Sequence, residues 1–515
     1  FLMWVLALLI LIWKLLDFKK NPLKDKYLWI VLFISIFVNL LFIDKYPFTF
    51  ISDELRDTGA DASSLFNSQV ENIFGYGSYG SHGLIIPTLA VPFYAIFENT
   101  RFSIVLPAAL FGIVDAVFIY LLTKKFFNKK VAFIAAICLA LNPLHLYYAR
   151  TQLVVMMSSL LTTINLYFLF NFITKKNWKS FLLTAVIFGF SFNFHHSIKP
   201  ISVFLALMAI IYAIKLIKEK KLKLKFLLIW LVMFIVSFGP RLMFTDVHTL
   251  FGLSRLPVAN GASFNTQGYF QNYLSSLKVI DLQPTRLFFA EHVSLLPLGS
   301  GVLMLVGLGL AVKEKIFKLQ FIYILVFLIL AIPFTNSAIT DIIGSDHRLA
   351  PLLPLLSIVF SLACYAIWIK LKNLKEFNNI LSGIFFVIIS FAYLTGAFNF
   401  FSLGWANRSM HQSNLPERYR DFQIHYVIQE MQKQKFDSLC IYANYEDFPM
   451  FVLNYYFPQK EIIYTIKDIV PEGSMEVVKD CNPLPIKSHK ITYCNKTDFL
   501  ICPEDGKPFS VRYIE

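Results

Sequence analysis

Long apolar segments separated by short lysine-rich connectors leave this chain few ways to fold. Segments of about 15 to 22 apolar residues recur through roughly the first 400 positions, and each is long enough, or nearly so, to cross a hydrocarbon core of about 30 Å as a helix. Hydrophobic residues make up 57% of the 515 residues and charged residues 16%, with a mean hydropathy of +0.59. The chain is therefore predicted to be an integral, multi-pass membrane protein.

Twelve transmembrane helices are predicted from these segments. They lie near positions 1–16, 27–43, 103–122, 131–148, 152–173, 180–194, 199–217, 226–240, 294–312, 319–333, 350–370 and 379–400. The first segment has no basic stretch before it, so it is interpreted as a first span or a trimmed start and not as a cleaved signal peptide.

Lysines crowd six of the connectors, and the positive-inside rule places these connectors in the cytoplasm. The connectors lie at 19–26, 124–130, 175–179, 215–225, 313–318 and 370–375. The spans alternate correctly only if the apolar stretch 84–98, which has two internal prolines, does not cross the membrane. Residues 44–100 are therefore interpreted as one external loop with an interfacial segment. The net charge of +14 then reflects membrane topology, and no nucleic acid is expected as a partner.

The sequence changes character after residue 402. Two stretches, "DSLCIYANY" and "EIIYTIKDIV", alternate apolar and polar residues, and the preceding "YRDFQIHYVIQEMQKQ" has a helical pattern. We therefore predict a transmembrane domain over 1–402 and a small extracytoplasmic α/β domain over 403–515. An oxidising location would allow one disulfide among Cys481, Cys494 and Cys502, and no Cys/His spacing there indicates zinc.

The eleven arginines are distributed differently from the lysines, because none lies in a predicted cytoplasmic connector. Five occupy the first external loop or outer helix ends: Arg56, Arg101, Arg150, Arg241 and Arg348. A guanidinium offers a planar fork that matches phosphate or carboxylate. Singly, each arginine could snorkel or pair with a local acid. Together they predict an external anion site, for which a lipid-linked phosphate is the natural occupant.

The stretch "FISDELRD" (50–57) places Asp53 and Glu54 after a transmembrane helix and before the interfacial segment. A carboxylate there, partly shielded from water, could accept a proton from a hydroxyl or amine while an anionic leaving group departs. The alternative is structural: Ser52 or Asp53 caps a helix and Arg56 forms a local salt bridge.

Several segments, in this order, resemble the N-terminal half of the GT-C superfamily of membrane glycosyltransferases. They are "PFTFISDELRDTGADASSLF", "SHGLIIPTLAVPFYAIF", "NTRFSIVLPAALFGIVDAVFIYLLTKKFF", "LNPLHLYYARTQ", "GFSFNFHHSIKPIS" and "DHRLAPLLPLLSIVF". The chain looks like the protein O-mannosyltransferase and aminoarabinose-transferase group, that is, the glycosyltransferase family 39 type. The resemblance spans about residues 45–370 and rests on the order and topology of the motifs.

The resemblance implies an α-helical, GT-C type fold and a polyprenyl-phosphate sugar as donor. One sugar would be transferred, with inversion, to a protein, glycolipid or polysaccharide acceptor on the extracytoplasmic face. Asp53 would act as general base, and Glu54 would orient it or the acceptor. The residues implied in binding the donor phosphate are Arg56, Arg101, Arg150, Lys199 and Arg348. Those implied in contacts with the sugar or acceptor are His82, His195 and His196.

Departures from the family pattern leave a divalent metal open as a cofactor, and no metal ligand is assigned. Many members have an acidic residue about five positions after the external arginine, but Arg150 is followed by "TQLVVMMSSLL", without a carboxylate. His195 and His196 are adjacent at a predicted helix end and point in different directions, which favours hydrogen bonding or packing over a shared metal. The Trp-Trp-Asp-Tyr-Gly run of oligosaccharyltransferases is absent, which argues against transfer of whole oligosaccharides.

A transporter or lipid flippase, and a noncatalytic membrane subunit with an external binding domain, are the competing interpretations. Twelve spans fit a transporter, but the predicted membrane interiors hold few ionisable residues apart from Lys14 and Asp115. Asp115 could be a proton-coupling site or a hydrogen-bonded structural acid. A scaffold should tolerate an amide at Asp53, whereas the enzyme requires an ionisable group there.

Overall fold

The structure is a computed structural model, and it describes most of the helical region and five strands of the C-terminal tail. The described residues are 25–43, 55–68, 70, 73–75, 83–98, 100–151, 153–239, 266–282, 294–297, 299–339, 346–373, 378–402, 438–443, 461–466, 475–479, 488–492 and 510–514. The first predicted span, 1–16, and the predicted tail helix lie outside them.

Sixteen α-helices and one π-helix occupy the described part of residues 25–402. The α-helices are α1 (Lys26–Leu40), α2 (Asp61–Phe66), α3 (Ile85–Phe97), α4 (Arg101–Phe126), α5 (Lys129–Ala140), α6 (Pro143–Tyr148), α7 (Leu153–Lys175), α8 (Trp178–Ser191), α9 (Ile198–Lys218), α10 (Lys225–Phe238), α11 (Thr266–Lys278), α12 (Ser300–Lys313), α13 (Leu319–Ile339), α14 (Asp346–Leu349), α15 (Leu352–Lys372) and α16 (Asn378–Ser402). The π-helix, Leu55–Ala60, runs directly into α2.

Eleven of the twelve predicted spans coincide with helices of the structure. Five helices, namely α4, α7, α9, α15 and the central part of α16, are long and apolar enough to cross a membrane, and six others are apolar but shorter. Large apolar side chains such as Leu228, Leu305 and Phe391 are exposed on the outside of the bundle, where lipid chains would cover them. An integral multi-pass membrane protein is thus confirmed, and the number of twelve spans remains a prediction.

The predicted span 131–148 is interrupted. Asn142 caps the start of α6 by accepting, through Oδ1, from the Leu144 amide at 3.0 Å and the His145 amide at 3.2 Å. Pro143 follows at the first helical position, where a missing N–H has no cost. The chain therefore enters the bundle as α5, breaks at Leu141, and continues as a short second helix.

The core of the bundle is formed by α4, α7 and α15. Almost every residue of α7 is buried, because α4, α8, α9 and α15 pack around it. Close approach of α12 to α15 depends on Gly307, since a Cβ there would lie 2.5 Å from the Ala363 Cα. The outer helices α10 and α16 leave one face exposed.

The lysine-rich helix ends gather at one end of this bundle, which we call the lysine end. Lys125 at the end of α4 donates to Asn171 Oδ1 near the end of α7 at 2.7 Å. Lys130 at the start of α5 lies 4.4 Å above the ring of Trp368 near the end of α15. The predicted grouping of the lysine connectors on one side of the membrane agrees with these contacts.

The described strands of the tail form one mixed five-stranded sheet of order β2-β1-β3-β5-β4. The strands are β1 (Ser438–Ala443), β2 (Glu461–Ile466), β3 (Met475–Lys479), β4 (Ser488–Thr492) and β5 (Ser510–Ile514). Pairs β1–β2 and β3–β5 are parallel, whereas β1–β3 and β4–β5 are antiparallel. Both strands predicted from the alternating pattern, now β1 and β2, are present, and the α/β character of the domain remains a prediction.

Candidate active site

The site begins in the turn of residues 192–197 between α8 and α9, whose side chains are all buried. Gly189 lets α8 approach α10 closely, because a Cβ at this position would lie 2.4 Å from the carbonyl oxygen of Phe234. Asn193 then donates through Nδ2 to the Ser237 carbonyl at 3.4 Å. The turn is thus fixed against α10, and the side chains that follow have a defined position.

Hydrogen bonds to the ring nitrogens hold both histidines of this turn. His195 Nδ1 lies 2.8 Å from the Ser197 hydroxyl and accepts from the Ser197 amide at 3.4 Å, which assigns the ring proton to Nε2. His196 Nδ1 lies 3.3 Å from Lys199 Nζ, and it accepts because an ammonium only donates. Both histidines are thus hydrogen bonded, in a turn and not on a helix, and their predicted contact with the sugar or acceptor remains a prediction.

The second part of the site comes from α14, the short helix before α15. The ring of His347 lies 5.8 Å from the ring of His195, measured between centroids. Arg348 Nε donates to His347 Nε2 at 3.3 Å. We call the five residues His195, His196, Lys199, His347 and Arg348 the Lys199–Arg348 cluster. It lies at the starts of α9 and α15, at the end of the bundle opposite the lysine end.

The Lys199–Arg348 cluster combines two cations with the beginning of the 21-residue helix α9. The first amide groups of a long helix carry partial positive charge and favour an anion. Lys199 is only 3% exposed, so a charge next to it is poorly screened by water. The sequence predicted that Lys199 and Arg348 bind the donor phosphate. The structure brings them into one cluster, and the binding role remains a prediction.

Arg150 has a different surrounding, since it is fully buried and directed at the end of α1. Nη1 donates to the Val38 carbonyl at 2.9 Å and Nη2 to the Leu41 carbonyl at 2.6 Å. Carbonyl groups at a helix end lack partners within the helix, and a hydrogen bond from a charged group contributes about 1.5–3 kcal/mol. Arg150 therefore orients the helix that leads into the acidic stretch, and phosphate binding by it remains a prediction.

A close contact at Gly112 sets the distance across which Arg150 reaches α1. A Cβ at Gly112 would lie 2.5 Å from the Ala149 Cβ and 3.3 Å from Asn39 Oδ1. These neighbours belong to the end of α6 and to α1, so only glycine lets α1, α4 and α6 meet here. Arg150 directly follows Ala149 in the chain.

Three predicted site residues, Asp53, Glu54 and His82, lie outside the described residues. The backbone of Arg56 belongs to the π-helix, but its side chain is outside the description. This π-helix contacts α3, α4 and α7. The capping alternative, with Ser52 or Asp53 as the cap, falls on residues outside the description and remains a prediction. Arg101 is the half-buried first residue of α4.

A buried polar network crosses the middle of the bundle, and the sequence revealed only part of it. Asp115 accepts from Ser159 Oγ at 2.6 Å and from Thr163 Oγ1 at 2.7 Å, which confirms that it is a hydrogen-bonded acid. His145 Nε2 lies 3.6 Å from Asp115 Oδ2, and both side chains are fully buried. His145 was missed as an ionisable residue of the predicted span 131–148. The signal in the sequence that could have revealed it is the helix start at Asn142-Pro143, just before His145.

His347 was also missed, although it directly precedes Arg348 in the motif "DHRLAPLLPLLSIVF". Its contribution depends on the approach of α14 to the turn before α9, and the sequence alone did not indicate that contact. Among the described residues, no group of three or more His, Cys, Asp or Glu side chains is arranged to hold a metal ion. A divalent metal therefore stays an open cofactor.

A polytopic helical membrane protein with a cation-rich site at one end of its bundle is the class that these observations define. Residues 81–244 match the model of the family described as dolichyl-phosphate-mannose-protein mannosyltransferase. The resemblance to the GT-C superfamily is thereby confirmed, and residues 81–244 are similar to this family. A search of curated protein sequences finds no match.

Solved structures of two membrane glycosyltransferases are similar to the chain at low identity. The oligosaccharyltransferase of Archaeoglobus fulgidus in its apo form is 13% identical with a TM-score of 0.46, over 87% of this chain and 65% of that one. The same organism's AglB in complex with an inhibitory peptide and a dolichol-phosphate is 13% identical with a TM-score of 0.43, over 81% of this chain and 59% of that one. ArnT from Cupriavidus metallidurans bound to undecaprenyl phosphate is 11% identical with a TM-score of 0.48, over 88% of this chain and 85% of that one. The chain thus spans less than two thirds of the archaeal enzyme.

Proposed function

We propose that the protein is a membrane glycosyltransferase that moves a single sugar from a polyprenyl-phosphate donor to an acceptor on the extracytoplasmic face, with inversion. The observation that carries the proposal is the Lys199–Arg348 cluster, in which three histidines link the two cations at the end of the bundle opposite the lysine end. The family match over residues 81–244, which include His195, His196 and Lys199, supports a glycosyltransferase reaction.

The donor fits the cluster by charge and by location. A polyprenyl chain is apolar and would lie in the bilayer between helices, while its phosphate would lie at the helix ends. There the Lys199 ammonium and the Arg348 guanidinium would contact the phosphate oxygens, with the guanidinium offering a planar fork. The Nε2–H groups assigned to His195 and His196 are donors suited to phosphate or sugar oxygens.

The reaction is a displacement at the anomeric carbon of the sugar. The acceptor oxygen or nitrogen forms a new bond to the anomeric carbon while the bond between that carbon and the phosphate oxygen breaks. Asp53 takes the acceptor proton, and the electron pair of the broken bond leaves with the polyprenyl phosphate. Lys199 and Arg348 offset the charge that develops on the leaving phosphate, where low dielectric strengthens each contact. One displacement with one carboxylate base inverts the configuration.

The other predicted residues have supporting roles in this proposal. Glu54 orients Asp53 or the acceptor, Arg56 and Arg101 extend the positive charge around the phosphate, and His82 contacts the sugar or acceptor. Besides its predicted contact with the phosphate, Arg150 fixes the end of α1, from which the chain continues to Asp53.

The test is transfer of radiolabelled sugar by the purified full chain in lipid, with cell-envelope extract supplying protein, glycolipid and polysaccharide acceptors. The donor panel contains sugars linked to both dolichol phosphate and undecaprenyl phosphate. We expect the unaltered chain to transfer one sugar and Asp53→Asn to lose the activity. Asp57→Asn, a matched change in the same stretch, should remain active.

Loss of activity in both variants would point to damage of the loop and not to a base at Asp53. Equal activity in both would refute the role of Asp53. Silence of the unaltered chain with every donor would favour the two rival functions, a transporter or lipid flippase and a noncatalytic subunit. Vesicle uptake of labelled polyprenyl phosphate then separates these two, because only the first moves the lipid.

A further inference from the structure

An open cavity of about 360 Å³ lies at the lysine end, between the end of α7 and the beginning of α13. Its lining residues are Ile173, Thr174, Lys176, Lys318, Leu319 and Gln320. The cavity and the Lys199–Arg348 cluster lie at opposite ends of the bundle, and the proposed reaction does not use the cavity. Its composition combines two amines, a hydroxyl and an amide with two aliphatic side chains.

The two lysines of the cavity are available for an anion. Neither the Lys176 amine nor the Lys318 amine forms a hydrogen bond or an ion pair with another residue in the part of the chain that the structure describes. The neighbouring acids are engaged elsewhere. Glu219 accepts from Lys221 Nζ at 2.7 Å, and Glu314 lies 3.8 Å from Lys370 Nζ.

The electrostatic surroundings of the cavity are positive. The pKa of Glu219 is lowered, first by its hydrogen bond with Lys221 and then by the charges of Lys215 and Lys176. Lys175 adjoins Lys176 at the end of α7, and Lys315 lies near Lys318 in the connector that follows α12. An anion that enters the cavity therefore meets several cations and few carboxylates.

The aliphatic side chains decide which kind of anion fits. Ile173 and Leu319 belong to helices of the bundle and line the same cavity as the amines. A lipid with a phosphate head group can contact both, since its acyl chains continue along the apolar outside of the helices. Basic pockets between helix ends favour anionic lipid head groups in this way.

We propose that this cavity binds the head group of an anionic phospholipid of the surrounding membrane. The phosphate lies between the amines of Lys176 and Lys318, and Thr174 and Gln320 hydrogen bond to the head group. The bound lipid joins α7 to α13, two helices that are far apart in sequence. The site is separate from the donor site, so the inference stands whether or not the proposed reaction is correct.

The experiment is native mass spectrometry of the purified full chain with short-chain lipids. Phosphatidylglycerol is the anionic probe, phosphatidylcholine the zwitterionic control, and inorganic phosphate the soluble competitor. We expect a preference for phosphatidylglycerol and a loss of about fivefold in its affinity for each of Lys176→Asn and Lys318→Gln. Inorganic phosphate should not displace the lipid at equal concentration.

A matched control exists in Lys220, which follows α9 at the same end of the bundle and does not line the cavity. Lys176 and Lys220 have left-handed backbone conformations, with φ of 52° and 57°. Asparagine tolerates this conformation, so Lys220→Asn tests the loss of one charge without the cavity. We expect it to bind phosphatidylglycerol as the unaltered chain does.

Three results would overturn the proposal. An equal loss in Lys220→Asn would mean that lipid binds to the overall charge of the lysine end. Equal affinity for phosphatidylcholine would mean that the apolar contacts alone hold the lipid. Displacement by inorganic phosphate at equal concentration would make the cavity a site for a soluble phosphate and not for a lipid.

Discussion

Cations lie at both ends of the helix bundle, but the two ends bury them to different extents. Lys218 and Lys318 at the lysine end are exposed, whereas Lys199 is 3% exposed and Arg150 is fully buried at the opposite end. A buried cation loses its hydration, so it needs specific contacts that replace water. An exposed lysine keeps much of its hydration, so a contact that it makes is screened by water and contributes less. At the opposite end each cation has its own partners, and its replacement should be felt individually.

The largest effect should come from removing one buried cation and comparing it with an exposed cation of the same helix. Lys199→Met at the start of α9 should reduce sugar transfer about 10²–10³-fold, because the proposed leaving-group site loses a donor. Lys218→Met at the other end of α9 should leave the rate nearly unchanged. Initial rates with the same donor measure both, and thermal unfolding checks that both variants fold. Equal losses would break the comparison between the two ends.

The next effect concerns packing near the buried end. Gly112→Val should destabilise the protein by about 1–3 kcal/mol, because the new side chain collides with Ala149. Gly309 is a matched helical glycine at which an added Cβ would contact no residue outside its own helix within 4 Å, so Gly309→Ala should be neutral or slightly stabilising. Thermal unfolding in detergent measures both. A stable Gly112→Val variant would show that α1, α4 and α6 can separate without cost.

The buried network between the two ends should affect stability more than activity. In the unaltered protein two hydroxyls donate to Asp115, and Asp115→Asn places an NH₂ group, itself a donor, opposite one of them. This should lower the free energy of unfolding by about 1–2 kcal/mol. A cycle with Thr163→Val isolates the pairwise part of this loss. Sugar transfer should persist in the folded variant. If Asp115→Asn instead abolished movement of a lipid or ion while the protein stayed folded, a transporter would be the better interpretation.

The smallest effect should come from Asp25, a buried acid at the lysine end. Burial tends to raise the pKa of Asp25, but hydrogen bonds from Lys124 and Tyr120 and the charge of Lys124 lower it overall. Because the folded pKa is lower than the unfolded one, this carboxylate stabilises the protein above about pH 4 and loses that contribution as pH falls. Asp25→Asn should cost about 1 kcal/mol at neutral pH. The free energy of unfolding of this variant should also change less between about pH 5 and pH 3 than that of the unaltered protein. Denaturant unfolding measures both.

Much of the helical fold was predictable, because hydrophobic length and lysine placement act locally along the chain. The span 226–240 corresponds to α10 within a few residues, and the stretch 84–98, predicted not to cross the membrane, forms the short helix α3. The break at Asn142-Pro143 was not predicted, although both residues are ordinary start signals for a helix. The apolar residues on both sides outweighed them in a hydropathy argument.

The candidate site was predictable only in its types of residue. Lys199 and Arg348 were selected for their charge and position, but their place in one cluster depends on the contact of His195 with His347, about 150 residues apart in sequence. The role of Arg150 at α1 could not be deduced, because a guanidinium suits a helix carbonyl as well as a phosphate. His145 beside Asp115 likewise requires knowledge of which helices pack together.

The two ends of α1 are both attached to other helices, and this has a consequence for the protein in membranes of different thickness. Lys124 and Tyr120 hold Asp25 before the first turn, and Arg150 holds the last turn. With 15 residues, α1 is a rod of about 22 Å between these two attachments. In a thinner or thicker bilayer it cannot slide along its neighbours to relieve hydrophobic mismatch. The bundle must tilt as a whole, or the lipid must deform around it.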